Sequence, residues 1–159
     1  MKASAKTNWY HGYWMRMAAH LATKCPPDAK AYSVGCVILD AYGRLLSTGH
    51  SREWGRCHAE ESAIQKVKLK SRLKGATLYC TMEPCTARDS APIPCADHII
   101  KNGIKKVFIA IEEPPNFKDC KGIEKLREAG IVVRFMPQYA PLALAPNAHI
   151  LAPKPRCCG

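Results

Sequence analysis

Two short segments carry residues able to hold a metal and move protons. Cys57-His58-Ala59-Glu60 stands at the mouth of one expected helix. Thr81-Met82-Glu83-Pro84-Cys85 stands at the end of an expected strand, and Pro94-Cys95 opens the next expected helix. His58, Cys85 and Cys95 supply one imidazole and two thiolates, three ligands for a tetrahedral Zn2+ whose fourth position stays open to water. That is the catalytic pattern, because a structural zinc fills all four places with protein. Such a metal lowers the pKa of water enough to supply hydroxide near neutral pH. Both mouths are helix N-termini, whose partial positive charge favours thiolate and hydroxide. Glu60, two residues past His58, lies close without being needed as a ligand. It can take a proton from water and hand it to a leaving group, so Glu60 is the expected catalytic residue of a zinc-assisted hydrolysis.

Other cysteines compete for these roles. The chain has nine, an odd number, and Met1 to Asn8 is polar with no apolar stretch behind it. A disulfide scaffold is therefore not expected, and the thiols are core fillers, ligands or nucleophiles. Cys57 is the main rival ligand, but adjacent side chains point differently, which makes it a neighbour of the site. Cys36 and Cys80 fall on strands and read as small core hydrophobes. Cys120 has no assignment.

The elements that must position these residues alternate. Trp14 to Lys24 places Trp14, Met17, Ala18 and Leu21 on one helical face, and Pro26-Pro27 stops it. Val34 to Leu39 reads as a buried strand, paired through a turn at Asp40 to Gly43 with a second strand, Arg44 to Gly49. Helix Ala59 to Leu69, strand Ala76 to Thr81, helix Cys95 to Lys101, strand Val107 to Ile111, helix Asp119 to Ala129 and strand Ile131 to Phe135 follow. Asn102-Gly103 and Gly130 are C-cap signals, and Asp119 is an N-cap signal. The order predicts a three-layer αβα sandwich around a five-stranded mixed sheet, with both reactive segments at one sheet edge. Residues 1–13 are expected as an N-terminal extension, 14–137 as the catalytic domain and 138–159 as a Pro/Ala-rich, partly disordered tail.

Composition narrows the partners. The chain has 159 residues, 47% of them apolar and 23% charged, enough to build a packed core. The longest stretch without Asp, Glu, Lys or Arg, Phe135 to Pro153, holds four prolines and cannot be a continuous membrane helix. A cytoplasmic protein with no membrane partner is expected. The formal charge of +11 suits nucleic acid, an anionic membrane face or a phosphorylated small substrate, or a solvated surface. The dense run Lys66, Lys68, Lys70, Arg72 and Lys74 lies along a helix end and reads as an exposed face.

These residues resemble a known family. H-x-E followed by P-C-x-x-C marks zinc deaminases of nucleobases. His58-Ala59-Glu60 with Glu83-Pro84-Cys85 and Cys95 resembles the cytidine deaminase-like superfamily. Nine residues, Thr86 to Pro94, separate the two cysteines here instead of two. That gap resembles the riboflavin-biosynthesis branch of the superfamily. Tyr32-Ser33-Val34-Gly35-Cys36-Val37, Thr48-Gly49-His50-Ser51-Arg52-Glu53, Thr81 to Cys85, and Gly122-Ile123 through Ile131 resemble its fungal-type pyrimidine deaminase. The resemblance covers residues 14 to 137. It implies hydrolysis of the 2-amino group of 2,5-diamino-6-ribitylamino-pyrimidinone 5′-phosphate with release of ammonia, Zn2+ as cofactor, and a homodimer. It implies that Glu60 protonates the ring nitrogen and the departing ammonia. Relatives carry fused reductase or pseudouridine-synthase-like domains that do not fit in 159 residues, so a free-standing deaminase is expected.

Substrate contacts are expected from the backbone N–H groups of Ala59 and Cys85, from Arg88 and Ser90 in the inter-cysteine loop, and from Ser51, Arg52 and Glu53. Arg88 is the first candidate for the substrate phosphate, followed by Arg52 and Arg56. Glu83 is expected to hold its own loop. Bacterial relatives carry a Pro-Asn-Pro whose Asn holds the substrate; here the stretch is Lys30-Ala31-Tyr32-Ser33. The aromatic run Trp9 to Trp14 either packs a helix start or folds over the pyrimidine, and His11 and His20 read as structural. A cytidine, cytosine or nucleotide deaminase is the alternative, keeping the zinc site. A nucleic-acid deaminase would need aromatic platforms and a basic stripe, which the scattered charges do not form, so nucleic acid is not an expected partner.

Overall fold

The structure is a computed structural model that describes residues 5–88, 91–114 and 120–151. Its elements run α1 (Ala5–Ala22), β1 (Gly35–Leu39), β2 (Leu45–His50), α2 (Ala59–Lys66), β3 (Thr77–Met82), α3 (Cys95–Lys101), β4 (Lys106–Ile111), α4 (Gly122–Glu128), β5 (Val132–Phe135), α5 (Ala140–Leu144) and α6 (Ala148–Leu151), with short 3-10 turns between some of them. The sheet order is β2-β1-β3-β4-β5. β1 pairs antiparallel with both β2 and β3, while β4 is parallel to β3 and to β5. This is the expected five-stranded mixed sheet.

Two apolar layers cover it. On one face Ala59, Ala63 and Ile64 of α2, Ile99 of α3 and Leu126 of α4 pack on Cys36, Ile38, Leu78, Cys80, Val107 and Ile109. On the other, Met15 and Ala18 of α1 and Ala143 of α5 pack on Val37, Leu39, Tyr79 and Phe108. Adjacent strand residues divide between the layers, as the two-residue period requires. Two glycines let helices seat closely. A Cβ at Gly35 would collide with the Ala18 carbonyl oxygen of α1, and one at Gly49 with the Ala59 carbonyl oxygen of α2. The β1–β2 turn is held by Asp40, whose carboxylate accepts from the Tyr42 and Arg44 amides at 3.0 and 2.9 Å and from the Arg72 guanidinium at 2.9 Å.

Three expectations change. The boundary expected after residue 13 falls inside α1, because the aromatic run is helical; Trp9, Tyr10 and Tyr13 are exposed while His11 packs inward. His11 stacks on Phe108 with ring centroids 4.2 Å apart and bonds the Tyr79 hydroxyl through Nδ1 at 2.7 Å. The helix expected to reach Leu69 stops at Lys66, and a 3-10 turn over Lys70–Leu73 follows. Residues 138–151, expected as part of a Pro/Ala-rich tail with no strong period, fold together with Pro137 into short turns and helices with prolines in their first turns. There the buried Asn147 accepts from the Ser33 amide at 2.7 Å and donates to the Ser33 carbonyl at 3.0 Å. The tail thus anchors the chain just before β1. Residues 152–159, including Cys157 and Cys158, and the expected N-cap Asp119 lie outside the described residues.

Candidate active site

Backbone geometry brings the three expected ligands together. His58 is the extended N-cap of α2, at φ −87° and ψ 162°. Cys95 opens α3 behind Pro94, and Cys85 sits three residues beyond β3. The Cys95 amide donates to the Cys85 sulfur at 3.4 Å, and the Ala96 amide to the Cys85 carbonyl at 3.1 Å. His58 Nδ1 lies 3.5 Å from Cys85 Sγ and 3.4 Å from Cys95 Sγ. All three ligand atoms fall within 4.8 Å of one another. A tetrahedral zinc with ordinary Zn–S and Zn–N bonds sets its S and N ligands about 3.6 Å apart. The trio fits that ion, and its donor chemistry, thiolate and imidazole, is zinc's own.

The electrostatics suit metal binding. The hydrogen bond from Cys95, with His58 nearby, holds the Cys85 thiol down at about 4, well below an ordinary thiol. Cys95 is pushed up by the same bond and by burial. Burial lowers the basicity of His58, but its contact with the Cys85 thiolate raises it by more. Cys85 is thus the ready thiolate of the pair, and a cation in the trio would replace the proton on Cys95.

Glu60 is fully enclosed on the inner face of α2 and borders a cavity of about 480 Å³ shared with His58 and Cys85. Burial and the Cys85 charge push its carboxyl above the usual range. That is the direction a proton carrier at neutral pH requires. Cys57 is buried, but its sulfur accepts from the Trp54 amide at 3.5 Å and stands apart from the trio.

The expected substrate residues divide. Arg88 lines the cavity, yet its side chain is only 3% exposed and pairs with Glu61 at 2.7 Å. Arg52 also lines the cavity, but its guanidinium donates to the carbonyls of Pro26 and Tyr32 at 2.7 and 3.0 Å and to the Ser33 hydroxyl at 3.0 Å. Its φ of 59°, costly for a side-chain-bearing residue, is held in place by these bonds. Ser51 is buried and hydrogen-bonds Val34, accepting from its amide at 3.0 Å. Glu53 is not brought to the cavity, because its carboxylate accepts from Lys66 at 2.6 Å and from Ser62. The Ala59 side chain is packed in the core, leaving only its backbone available to the site. Ser90 lies outside the described residues. Glu83 holds its loop as expected, accepting from the Ile123 amide in the first turn of α4 at 3.0 Å and from the Glu113 amide at 3.3 Å.

Two cavity groups escaped the motif reading. Burial pushes the Glu113 carboxyl up to about 7, with the negative charges of Cys85, Glu60 and Glu83 adding to it. Its position just past β4, parallel to β3, was the available signal, because parallel strand ends gather at one edge. Lys30, in the stretch that lacks the bacterial Asn, lines the same cavity as the exposed Arg56.

Comparison with known proteins agrees with this geometry. Residues 9–111 match the family described as the cytidine and deoxycytidylate deaminase zinc-binding region. The diaminohydroxyphosphoribosylamino-pyrimidine deaminase of Schizosaccharomyces pombe is 44% identical over 127 residues, covering 77% of this chain and 31% of that protein. The chain therefore spans about a third of the length of that relative. The structure of Acinetobacter baumannii RibD, form 2, superposes with a TM-score of 0.78 at 33% identity, covering 90% of this chain and 39% of that one. Aspergillus oryzae Rib2 deaminase in complex with DARIPP superposes with a TM-score of 0.67 at 27% identity, covering 80% and 84%.

Proposed function

Because this chain belongs to the cytidine and deoxycytidylate deaminase zinc-binding family, we propose that it hydrolyses the 2-amino group of the phosphorylated ribitylamino-pyrimidinone of riboflavin biosynthesis, releasing ammonia. The observation that carries this reading is the clustering of His58, Cys85 and Cys95 at a cavity that His58 and Cys85 share with the buried Glu60. The 44% identity to the S. pombe deaminase supports the substrate class over cytidine.

His58, Cys85 and Cys95 hold the zinc, which when bound makes hydroxide available near neutral pH. Glu60 carries two protons in turn, the first from water to the ring nitrogen and the second from the resulting C–OH to the departing amine, so that water and the C–NH2 group become a carbonyl and ammonia. Backbone N–H groups of Ala59 and Cys85 remain the proposed donors to the developing oxyanion. Arg88 and Arg52 face protein partners, which favours Lys30 and Arg56 at the exposed end of the cavity as the cations for the substrate phosphate.

We place the enzyme in the cytoplasm, a reading supported by free thiols at all seven described cysteines, and expect it to assemble as a homodimer, as the resemblance implies. Among the described residues, no helix is long and apolar enough to cross a membrane. Sedimentation of the zinc-loaded protein measures the assembly.

The deciding experiment is ammonia release from the ribitylamino-pyrimidinone phosphate beside cytidine, dCMP and single-stranded DNA. Turnover of the pathway intermediate alone is expected. Turnover of cytidine or dCMP instead keeps the zinc chemistry and discards the substrate. Arg56→Ala is expected to raise KM for the phosphorylated substrate and leave its dephosphorylated form unaffected.

A further inference from the structure

The Glu60 carboxylate enters the core from α2 and meets the central strand β3. Its Oε1 accepts a hydrogen bond from the Cys80 thiol at 3.3 Å. Both groups are buried, Cys80 completely so. Among the described residues, the thiol is the one side-chain donor in hydrogen-bond reach of this carboxylate. Cys80 is itself confined. Its cross-strand partner on β1 is Cys36, also fully buried, and both lie in the core layer beneath α2.

From this contact we infer that Cys80 is a positioning residue for Glu60, and the inference rests on the reading that Glu60 carries the proton in deamination. A carboxylate has two equivalent oxygens and turns freely about its last torsion unless one of them is held. The thiol engages Oε1 from the sheet side and leaves Oε2 able to face the cavity, where the water and substrate must lie. A thiol is a weak donor, so it orients the carboxylate without drawing off much of its basicity. A hydroxyl at this position would hold the same oxygen, and a methyl would not. Cys80 therefore does more than fill the core.

Three proteins test this: Cys80→Ala, Cys80→Ser, and Glu60→Gln as the reference for loss of the carboxylate itself. Ala and Ser leave nearly the same space and differ in the hydroxyl. With zinc content and melting temperature measured on each, Cys80→Ala is expected to lower kcat about five- to tenfold at unchanged KM, the effect of one lost hydrogen bond. Cys80→Ser should return kcat to within about twofold of the parent. Parental kcat in Cys80→Ala, or a Ser variant as slow as Ala, overturns the assignment in favour of packing. A readout independent of turnover is the infrared S–H stretch of Cys80, isolated as the difference between the parent and Cys80→Ala. It should sit at the lower frequency of a hydrogen-bonded thiol and move in Glu60→Gln. A band that ignores Glu60→Gln overturns the contact. A parent inactive on every pyrimidine, with that band shift present, instead overturns the functional reading and leaves the contact standing.

Discussion

Arg88 and Glu61 form an ion pair at 2.7 Å that joins the loop between Cys85 and Cys95 to the first turn of α2. The same guanidinium donates to the Arg56 carbonyl at 3.2 Å. Arg88 thus fastens three pieces of backbone around the site: the approach to His58, the helix that carries Glu60, and the Cys85–Cys95 connection. Its effect on the Glu61 carboxyl, held below the usual range despite burial, shows how closely the two are matched.

Removing this clamp should cost stability and metal retention before it costs substrate affinity. Arg88→Ala leaves Glu61 partly buried without its partner, and the expected loss is roughly 3 kcal/mol. Thermal melts with and without a chelator measure it. Arg88→Met combined with Glu61→Gln should lose less than the sum of the single changes. A variant that melts like the parent while KM rises would restore Arg88 to the phosphate role.

The ligands and the proton carrier should separate cleanly. His58→Ala and Cys85→Ser are expected to lose zinc, and chelation of the parent should lower its melting temperature until zinc is restored. Glu60→Gln should keep its zinc while turnover falls by roughly 10²- to 10⁴-fold. Metal analysis beside ammonia release distinguishes the two classes, and zinc loss in Glu60→Gln would make Glu60 part of the metal site.

Gly49 is expected to act on catalysis from a distance. A side chain there pushes on the Ala59 carbonyl and the Ala63 amide, so α2 must move, and with it His58 and Glu60. Gly49→Ala should destabilise by roughly 1–3 kcal/mol and lower kcat more than KM. Denaturant unfolding and steady-state kinetics on one preparation check both parts.

The Glu113 carboxyl, pushed up to about 7 mainly by burial, gives a pH-dependent stability of definite sign. The folded chain keeps this proton over a range in which the unfolded chain, at its ordinary 4.5, has released it. The stabilisation is complete below the unfolded value and is lost as pH rises through the folded one. Glu113→Gln should therefore match the parent near pH 4 and melt increasingly higher than it as pH rises to 7 and above. Melting curves of both proteins across this range test it, and parallel curves would show that Glu113 does not titrate there.

Much of the architecture was legible because its signals are local. The run Val34 to Leu39 and the Asn102-Gly103 pair marked strand and helix ends within one or two residues of where they lie. The sequence left two readings open for the N-terminal aromatics, of which the helix start is the one found, and gave no sign of how the tail folds. Trp9 to Trp14 is helical through contacts such as His11 on Phe108, nearly a hundred residues away. Residues 137–151 have turns too short for a helical period to emerge, and what fixes them is Asn147 bridging back to Ser33. Glu113 went unread because only its place beyond β4, not its neighbours in sequence, aligns it with Glu60 and Cys85.

By itself the sequence pointed to the proposed chemistry. His58, Cys85 and Cys95 stand out as a donor set that zinc takes, and Glu60 as the carboxylate proposed beside it, because only a few residue types can ligate such a metal and because helix mouths at strand ends converge on one sheet edge. The tertiary structure alone decided which charged groups are held by protein partners at the cavity. An arginine's role depends on the carbonyls and carboxylates that fold against it. Arg52 is held by Pro26, Tyr32 and Ser33, and Arg88 by Glu61, all distant in sequence. The Cys80 thiol reads as a core filler until the packing of α2 on β3 sets Glu60 beside it.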